Sequence, residues 1–495
     1  MSTPPVPASG HGGAPLGASS ARGARALFVG QGIKFLTQVI GLVVLSRILE
    51  PAEFGYMAVA TVIVGFGEIV RDMGLSSAAI RSPELTNDKR DVLFWINTAL
   101  GVFLMACVFI LAVPLAHLFK TPQLEHVLPA LSFVFLFSGV TAQYRANLNR
   151  TMRFAAMARI DAVAPAVGLA VAISAALIGA SYWALVLQLL TTAIVTSILT
   201  IGVGRWMPRF PRRGTEAWPM VRFGGHVALS QLLAYGGSSV DTLALGLTST
   251  SNSVGLYSRS FQLVMSPLNQ LKSPSTTVAV PALSRLLDEP ARFESYSLRG
   301  QAVIGYLVVP IGALLVGAPA TVVHAALGPG WEDAAPIVAL LAVAGTLQQL
   351  SSVANWIFVA KGRGGDLTKF SALSLVLKVV GVASFVSLGP VGVAMGYTLA
   401  VCVAWPIAIV WATKAGGVRS TPLLMQAVRM LAVAAVAAAT CFAGVQAAGS
   451  HNDVLSLVVA IVSVFGAYLA SMIVPAVRRD LRIVLATLRL SITRA

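Results

Sequence analysis

Fourteen apolar runs, each long enough to cross about 30 Å of hydrocarbon, constrain this chain more than any other feature. They lie near residues 27–49, 56–80, 92–118, 126–148, 157–179, 182–204, 220–247, 254–284, 298–326, 334–360, 368–388, 391–413, 422–446 and 454–475. A helix satisfies its own backbone within one such segment, so the runs predict an all-α membrane protein of about 14 transmembrane helices. Only 11% of the residues are charged, against about 25% in soluble domains, which excludes a soluble globular reading. The first run is too long for the core of a cleaved signal peptide and reads as an uncleaved span. Residues 1–26, rich in Ser, Pro, Gly and Ala, read as a disordered cytoplasmic tail.

Lys and Arg fall in alternate connections. The even-numbered ones hold Lys89 and Arg90, then Arg150 and Arg153, then Arg205, Arg209, Arg212 and Arg213, then Arg285 and Arg292, then Lys361 and Arg363, then Lys414 and Arg419. The odd-numbered connections offer essentially Lys120, beside Glu50, Glu53, Glu332, Asp333 and Asp453. Cytoplasmic connections carry the excess of Lys and Arg, so both termini of this multi-pass membrane protein are expected in the cytoplasm. The net charge of +16 is explained by this asymmetry and calls for no nucleic acid. Cys107, Cys402 and Cys441 lie far apart in apolar runs, with no disulfide framework and no Cys or His spacing for a metal.

The sixth connection divides the chain, and its two sides look alike. The expected boundaries are a bundle of six helices over 27–207, a linker over 208–219 and a second bundle over 220–415. Two additional helices over 416–475 and a basic amphipathic tail over 476–495 follow. Glu53-Phe54-Gly55-Tyr56 closes the first span as Ser253-Val254-Gly255-Leu256-Tyr257 closes the seventh. Arg150, Gly168 and Gly179 recur at one offset as Arg363, Gly381 and Gly392. Units of six helices insert in the same orientation, so these are parallel repeats with a site expected between them near mid-depth.

Charges at bilayer depth are costly, and they point to that site. Glu68, Arg71 and Asp72 share one helical face. The stripe either neutralises itself and ties helices together, or it lines a water-filled cavity as a gate. At an offset of 200, Asp72 corresponds to Lys272, on a span that also carries Pro267, Pro274 and Pro281. Lys34 either snorkels to the cytoplasmic face or joins the cavity. Asp241, after Gly236 and Gly237, is a candidate proton or cation site, with a structural hydrogen bond as the alternative. Lys378 suits an anionic ligand. Lys34, Arg71, Lys272 and Lys378 are therefore the substrate-path candidates, and Glu68, Asp72 and Asp241 the ion-coupling or gate candidates. No P-loop, catalytic triad or metal cluster is present, so the residues describe a duplicated secondary transporter with a partly cationic path, not an enzyme. No cofactor is expected, and coupling to a proton or sodium gradient is left open by the residues.

Particular strings then carry a resemblance. SRILEPAEFGYMAVA, DMGLSSAAIR, NLNRTMRFAAMARIDAV and GASYWALVLQ, in this order, resemble the polysaccharide transporter (Wzx-type flippase) family of the multidrug/oligosaccharidyl-lipid/polysaccharide exporter superfamily. The resemblance covers roughly residues 28–440. It implies two six-helix bundles facing each other in a V, plus two C-terminal helices. It also implies a flippase that moves undecaprenyl-pyrophosphate-linked oligosaccharide from the cytoplasmic to the outer leaflet by alternating access. The lipid-linked oligosaccharide, membrane lipids, and the polysaccharide polymerase and chain-length machinery are the implied partners. The pyrophosphate would suit the four cations above, and Asn269, Gln270, Ser273, Gln348, Gln349 and Asn355 would give the sugar polar walls. A drug/cation antiporter of the same superfamily would favour carboxylates in the cavity. A membrane polymerase or ligase of lipid-linked sugars would present Arg and His on long external loops, which here are short.

Overall fold

The computed structural model describes residues 16–72, 87–204, 206–210, 218–449 and 453–492. Among these, every regular element is a helix. The N-terminal bundle comprises α1 (Leu16–Ser46), α2 (Pro51–Asp72), α3 (Asn87–Leu118), α4 (Leu124–Arg150), α5 (Phe154–Leu177) and α6 (Trp183–Gly204). The second bundle begins with α7 (Trp218–Thr248), α8 (Ser251–Ser284), α9 (Pro290–Gly317) and the short α10 (Pro319–Leu327). It is completed by α11 (Ala335–Leu350), α12 (Ser352–Ala360), α13 (Gly364–Phe385) and α14 (Gly389–Gly416). Three further helices follow, α15 (Ser420–Ala448), α16 (Asp453–Ala470) and α17 (Pro475–Ile492).

A helix overlies each of the fourteen apolar runs, and two runs are broken, one at Ala318 between α9 and α10 and one at Ser351 between α11 and α12. The stretch 73–80 of the second run lies outside the described residues, as does most of DMGLSSAAIR. Among the described residues, ten helical stretches are long and apolar enough to cross a membrane, with Gly364–Gly416 counted once although it holds both α13 and α14. The α8 helix is not among them, because Asn252, Arg259, Gln262 and several serines interrupt its first half. A helix this polar is stable at membrane depth only against protein or water. At the other end of the chain, α1 begins at Leu16, inside the segment read from sequence as disordered tail. Ala and Arg make up six of residues 16–26 and are good helix formers.

Within the first bundle α4 packs on α3 and α6, and α5 on α1 and α6. Within the second, α14 packs on α11 and α13, and α11 on α8 and α9. The bundles share a repeated turn. Thr151, Met152 and Arg153 close α4 with backbone N–H bonds to the carbonyls of Asn147, Asn149 and Leu148. Lys361, Gly362 and Arg363 close α12 with the same pattern, to Ile357, Val359 and Phe358. The central residue is left-handed in both, at φ 53° for Met152 and 67° for Gly362. The next turns repeat the register, Gly179 at φ 81° matching Gly389 at 72°. The equivalent pairs are therefore Arg153 with Arg363 and Gly179 with Gly389. This corrects the register read from sequence, in which Arg150 and Gly392 took those places. Gly392 lies inside α14, where a β-carbon would come within 2.2 Å of the Phe385 carbonyl oxygen.

Candidate functional site

Both bundles contribute a wall to one cavity, and a close backbone contact between them forms its roof. The chain ends of α2 and α8 that carry the odd-numbered connections cross at two glycines. A β-carbon on Gly55 would lie 1.8 Å from the Ser251 carbonyl oxygen, and one on Gly255 would lie 1.7 Å from that of Pro51. The contact is reciprocal at an offset of 200, as repeat symmetry requires, and only residues without a side chain permit it. Around it the same arginine-poor end is latched from several directions. Trp331 donates from Nε1 to the Ser46 carbonyl at 2.8 Å and tilts against Phe54 with ring centroids 5.6 Å apart. Arg47 donates to the Ala325 carbonyl at 2.6 Å. The Glu332 carboxylate, at the start of a short 3-10 turn, accepts from the backbone N–H of Gly330 at 3.0 Å.

Below this roof lies a cavity of about 450 Å³. Each wall is one face of a helix. On α1 the residues are Lys34, Gln38, Gly41, Leu42 and Leu45, and on α6 Leu185, Gln188, Leu189 and Thr192, both at the three- and four-residue spacing of a single stripe. From the second bundle come Thr242 on α7 and Ser258, Arg259 and Gln262 on α8. The guanidinium of Arg259 stacks 3.6 Å above the Phe54 ring, and Nη1 donates to the Gln262 side-chain oxygen at 2.6 Å. This stacking fixes a planar cation at the interface of the bundles, about 12 Å along α8 from its first residue. Two cations and seven amide or hydroxyl groups face the cavity, and among its described lining residues there is no carboxylate. Such a lining receives an anion with polar substituents.

Of the residues expected from sequence, Lys34 is the one placed on this cavity. Glu68 and Arg71 instead face the interior of the first bundle. Arg71 is paired with Glu68 at 3.2 Å and is 8% exposed, and Ser138 on α4 donates to the other Glu68 oxygen at 2.5 Å. Glu68 and Arg71 border a separate space of about 390 Å³ with Thr141, Arg145 and Asn149, where Arg145 bonds Asp161 at 2.7 Å. The Arg71 Nη1 has no partner there among the described residues. Asp72, the last residue of α2, is half-buried and adjoins the stretch outside the described residues. The side chain of Lys272, on α8, also lies outside them.

Asp241 is buried within the second bundle, and the half-buried Lys378 lies near it. Asp241 is 5% exposed, accepts from Tyr257 Oη at 2.6 Å and from the Thr242 backbone N–H at 2.9 Å, and lies within electrostatic reach of Lys378. Lys378 Nζ sits 4.9 Å from the centre of the Tyr397 ring, whose hydroxyl accepts from Gln348 at 2.7 Å. Gln348 thus faces this cluster and not the cavity; Gln38, Gln188 and Gln262 are the amides on the cavity. Sequence reading missed Arg259. Its signal was available: it is an arginine within a span near the arginine-poor end, where the charge rule does not place one.

The family model described as polysaccharide biosynthesis protein matches residues 44–336. The lipopolysaccharide biosynthesis protein WzxC of Escherichia coli is 23% identical, over 73% of this chain and 74% of its own length. The succinoglycan biosynthesis transport protein ExoT of Rhizobium meliloti is 26% identical, over 68% and 67%. Among solved structures, lipid II flippase MurJ in an inward closed conformation superposes with a TM-score of 0.71, covering 90% of this chain and 98% of that one at 11% identity. The last likeness is one of fold.

Proposed function

We propose that this chain, which belongs to the polysaccharide biosynthesis protein family, is a flippase for a lipid-linked oligosaccharide. The substrate is read as undecaprenyl-pyrophosphate-linked oligosaccharide, carried from the cytoplasmic to the outer leaflet of a bacterial inner membrane. The observation that carries this reading is the cavity between the bundles, with Lys34 and Arg259 in its walls and no carboxylate among its described lining. A pyrophosphate offers two adjacent anionic groups, and a guanidinium recognises them with a planar fork of donors. The glutamine, serine and threonine groups beside it are suited to sugar hydroxyls. The polyprenyl tail need not enter, since it is at home in the bilayer.

The arginine-poor end is read as the outer face, so the Gly55–Gly255 roof closes the cavity from outside. Alternating access then requires the roof to part and the arginine-rich ends to approach, by a rocking of one bundle against the other. The work is binding and movement, with no bond made or broken. A drug/cation antiporter would place carboxylates where Lys34 and Arg259 stand.

The test is the sidedness of the lipid-linked saccharide in cells. In right-side-out vesicles lacking this protein, the saccharide should stay protected from a membrane-impermeant sugar oxidant until the gene is restored. Saccharide that is exposed but not polymerised in its absence would instead indicate a polymerase. An unchanged saccharide pool with greater sensitivity to cationic drugs would indicate the antiporter.

A further inference from the structure

At the arginine-rich end, sequence reading expects a basic amphipathic tail lying on the membrane. The structure docks it. Val477, Leu481 and Val484 on one stripe of α17 bury against Tyr306 of α9 and Met430 of α15. Asp480 lies on that same buried stripe at 2% exposure, which would be costly for a lone carboxylate. It is matched by Arg429 of α15, through a direct ion pair, and by the Tyr306 hydroxyl at 3.3 Å. Tyr468 of α16 donates to the Tyr306 carbonyl at 2.8 Å and completes the bracket.

This strapping leaves an open space of about 840 Å³ bordered by α9, the Gly417–Arg419 turn, α15 and α17. Arg299, Arg419 and Arg479 stand exposed at its rim, and Arg429 lies in its wall. Its carboxylates are Glu294 and Asp480, and the second is already taken by Arg429. Two polar groups in the wall are left without partners among the described residues. One is Nε of Arg429; the other is the side-chain oxygen of Gln426, a residue only 6% exposed. A buried amide of this kind normally has a partner, and its absence here marks a place for a ligand atom. The first turns of α9 and α15 also border the space, and neither has a side-chain cap, so their free N–H groups add positive potential.

From this geometry we infer that the α9–α15–α17 cavity is a binding site for a phosphate ester. Three rim guanidiniums supply charge-assisted donors for the phosphate oxygens, and Gln426 meets a hydroxyl or amine of the esterified group. The source is either the headgroup of an anionic phospholipid or a soluble phosphoester. None of these residues lines the cavity between the bundles, so the site stands or falls apart from the transport reading.

The full chain in nanodiscs tests it. Wild type and the combined variant Arg299→Gln, Arg419→Gln, Arg479→Gln are placed in phosphatidylcholine with and without phosphatidylglycerol, and the lipids retained on release are counted by native mass spectrometry. In neutral nanodiscs, titration with glycerol 3-phosphate reads the soluble source. Wild type should retain phosphatidylglycerol, or bind glycerol 3-phosphate saturably, and the variant should lose about tenfold or more of that affinity. The variant leaves Arg429 and Asp480 in place, so its melting temperature in neutral nanodiscs should not move. Retention in the lipid arm alone assigns a headgroup, and binding in the soluble arm assigns a free phosphoester. Equal retention by wild type and variant, or preference for neither phosphate probe over phosphatidylcholine and glycerol, overturns the site. Should the combined variant fail to fold, Arg419→Gln alone, on the exposed turn, is read the same way.

Discussion

Gly55 and Gly255 occupy equivalent places in the two bundles, and each lies against the backbone of the first residue of the other's helix. The roof of the cavity is thus made of main chain, and its tightness depends on two absent side chains. Adding one methyl forces the helices apart in this state alone, at a cost of about 1–3 kcal/mol, and every 1.4 kcal/mol is about tenfold in population. Gly255→Ala is expected to open the arginine-poor end. In a background without Cys107, Cys402 and Cys441, an Ala58→Cys probe in the cavity should react about tenfold faster with an impermeant maleimide from outside. An unchanged rate would show that the glycine contact does not close the cavity.

Arg259 is expected to matter through shape as well as charge, because it stacks on Phe54 and bonds Gln262. Arg259→Gln should lower transport by about 10–100-fold, the value of one charge-assisted contact to a phosphate. Arg259→Lys keeps the charge without the planar fork and should recover only part of the loss. Full recovery with lysine would reduce the role of Arg259 to a point charge.

Glu68 and Arg71 are expected to be a structural pair. Glu68→Ala leaves a guanidinium buried beside Ser138 with no carboxylate, at a cost of about 3 kcal/mol in thermal unfolding. The double variant Glu68→Leu, Arg71→Leu removes both charges and should recover most of that stability. A double variant as unstable as the single would show that Arg71 does not depend on Glu68.

Asp241→Asn preserves the acceptor for Tyr257 and removes the charge opposite Lys378. It should lower stability by about 1–3 kcal/mol, and a second change, Lys378→Gln, should restore at least half of it. Loss of dependence on an ion gradient with unchanged stability would instead support the coupling role expected from sequence.

Span positions were legible because hydropathy acts on each segment alone. The repeat register was only partly so. Gly55 and Gly255 could be matched by letter, but Met152 and Gly362 share a left-handed turn without sharing a side chain. A backbone conformation reached by two unlike residues leaves no mark in a comparison of letters. The stripe of Glu68 and Arg71 showed which residues share a face, and the rotation of α2 about its axis, which turns that face toward Ser138, is set by packing. Lys34 was found because a lone lysine in an apolar run is conspicuous. Arg259 was hidden among the serines and glutamine of α8, where a polar neighbourhood makes one more charge look ordinary.

The central claim is that the cavity between the bundles carries a pyrophosphate-linked saccharide across the membrane. Purified protein in liposomes containing a fluorescent polyprenyl-pyrophosphate oligosaccharide tests it, with an impermeant quencher added outside. Wild-type protein should bring the inner-leaflet pool within reach of the quencher, and a Lys34→Ala, Arg259→Ala variant that is folded to the same melting temperature should not. Equal quenching by the two proteins, or none beyond that of empty liposomes with either, would contradict the account.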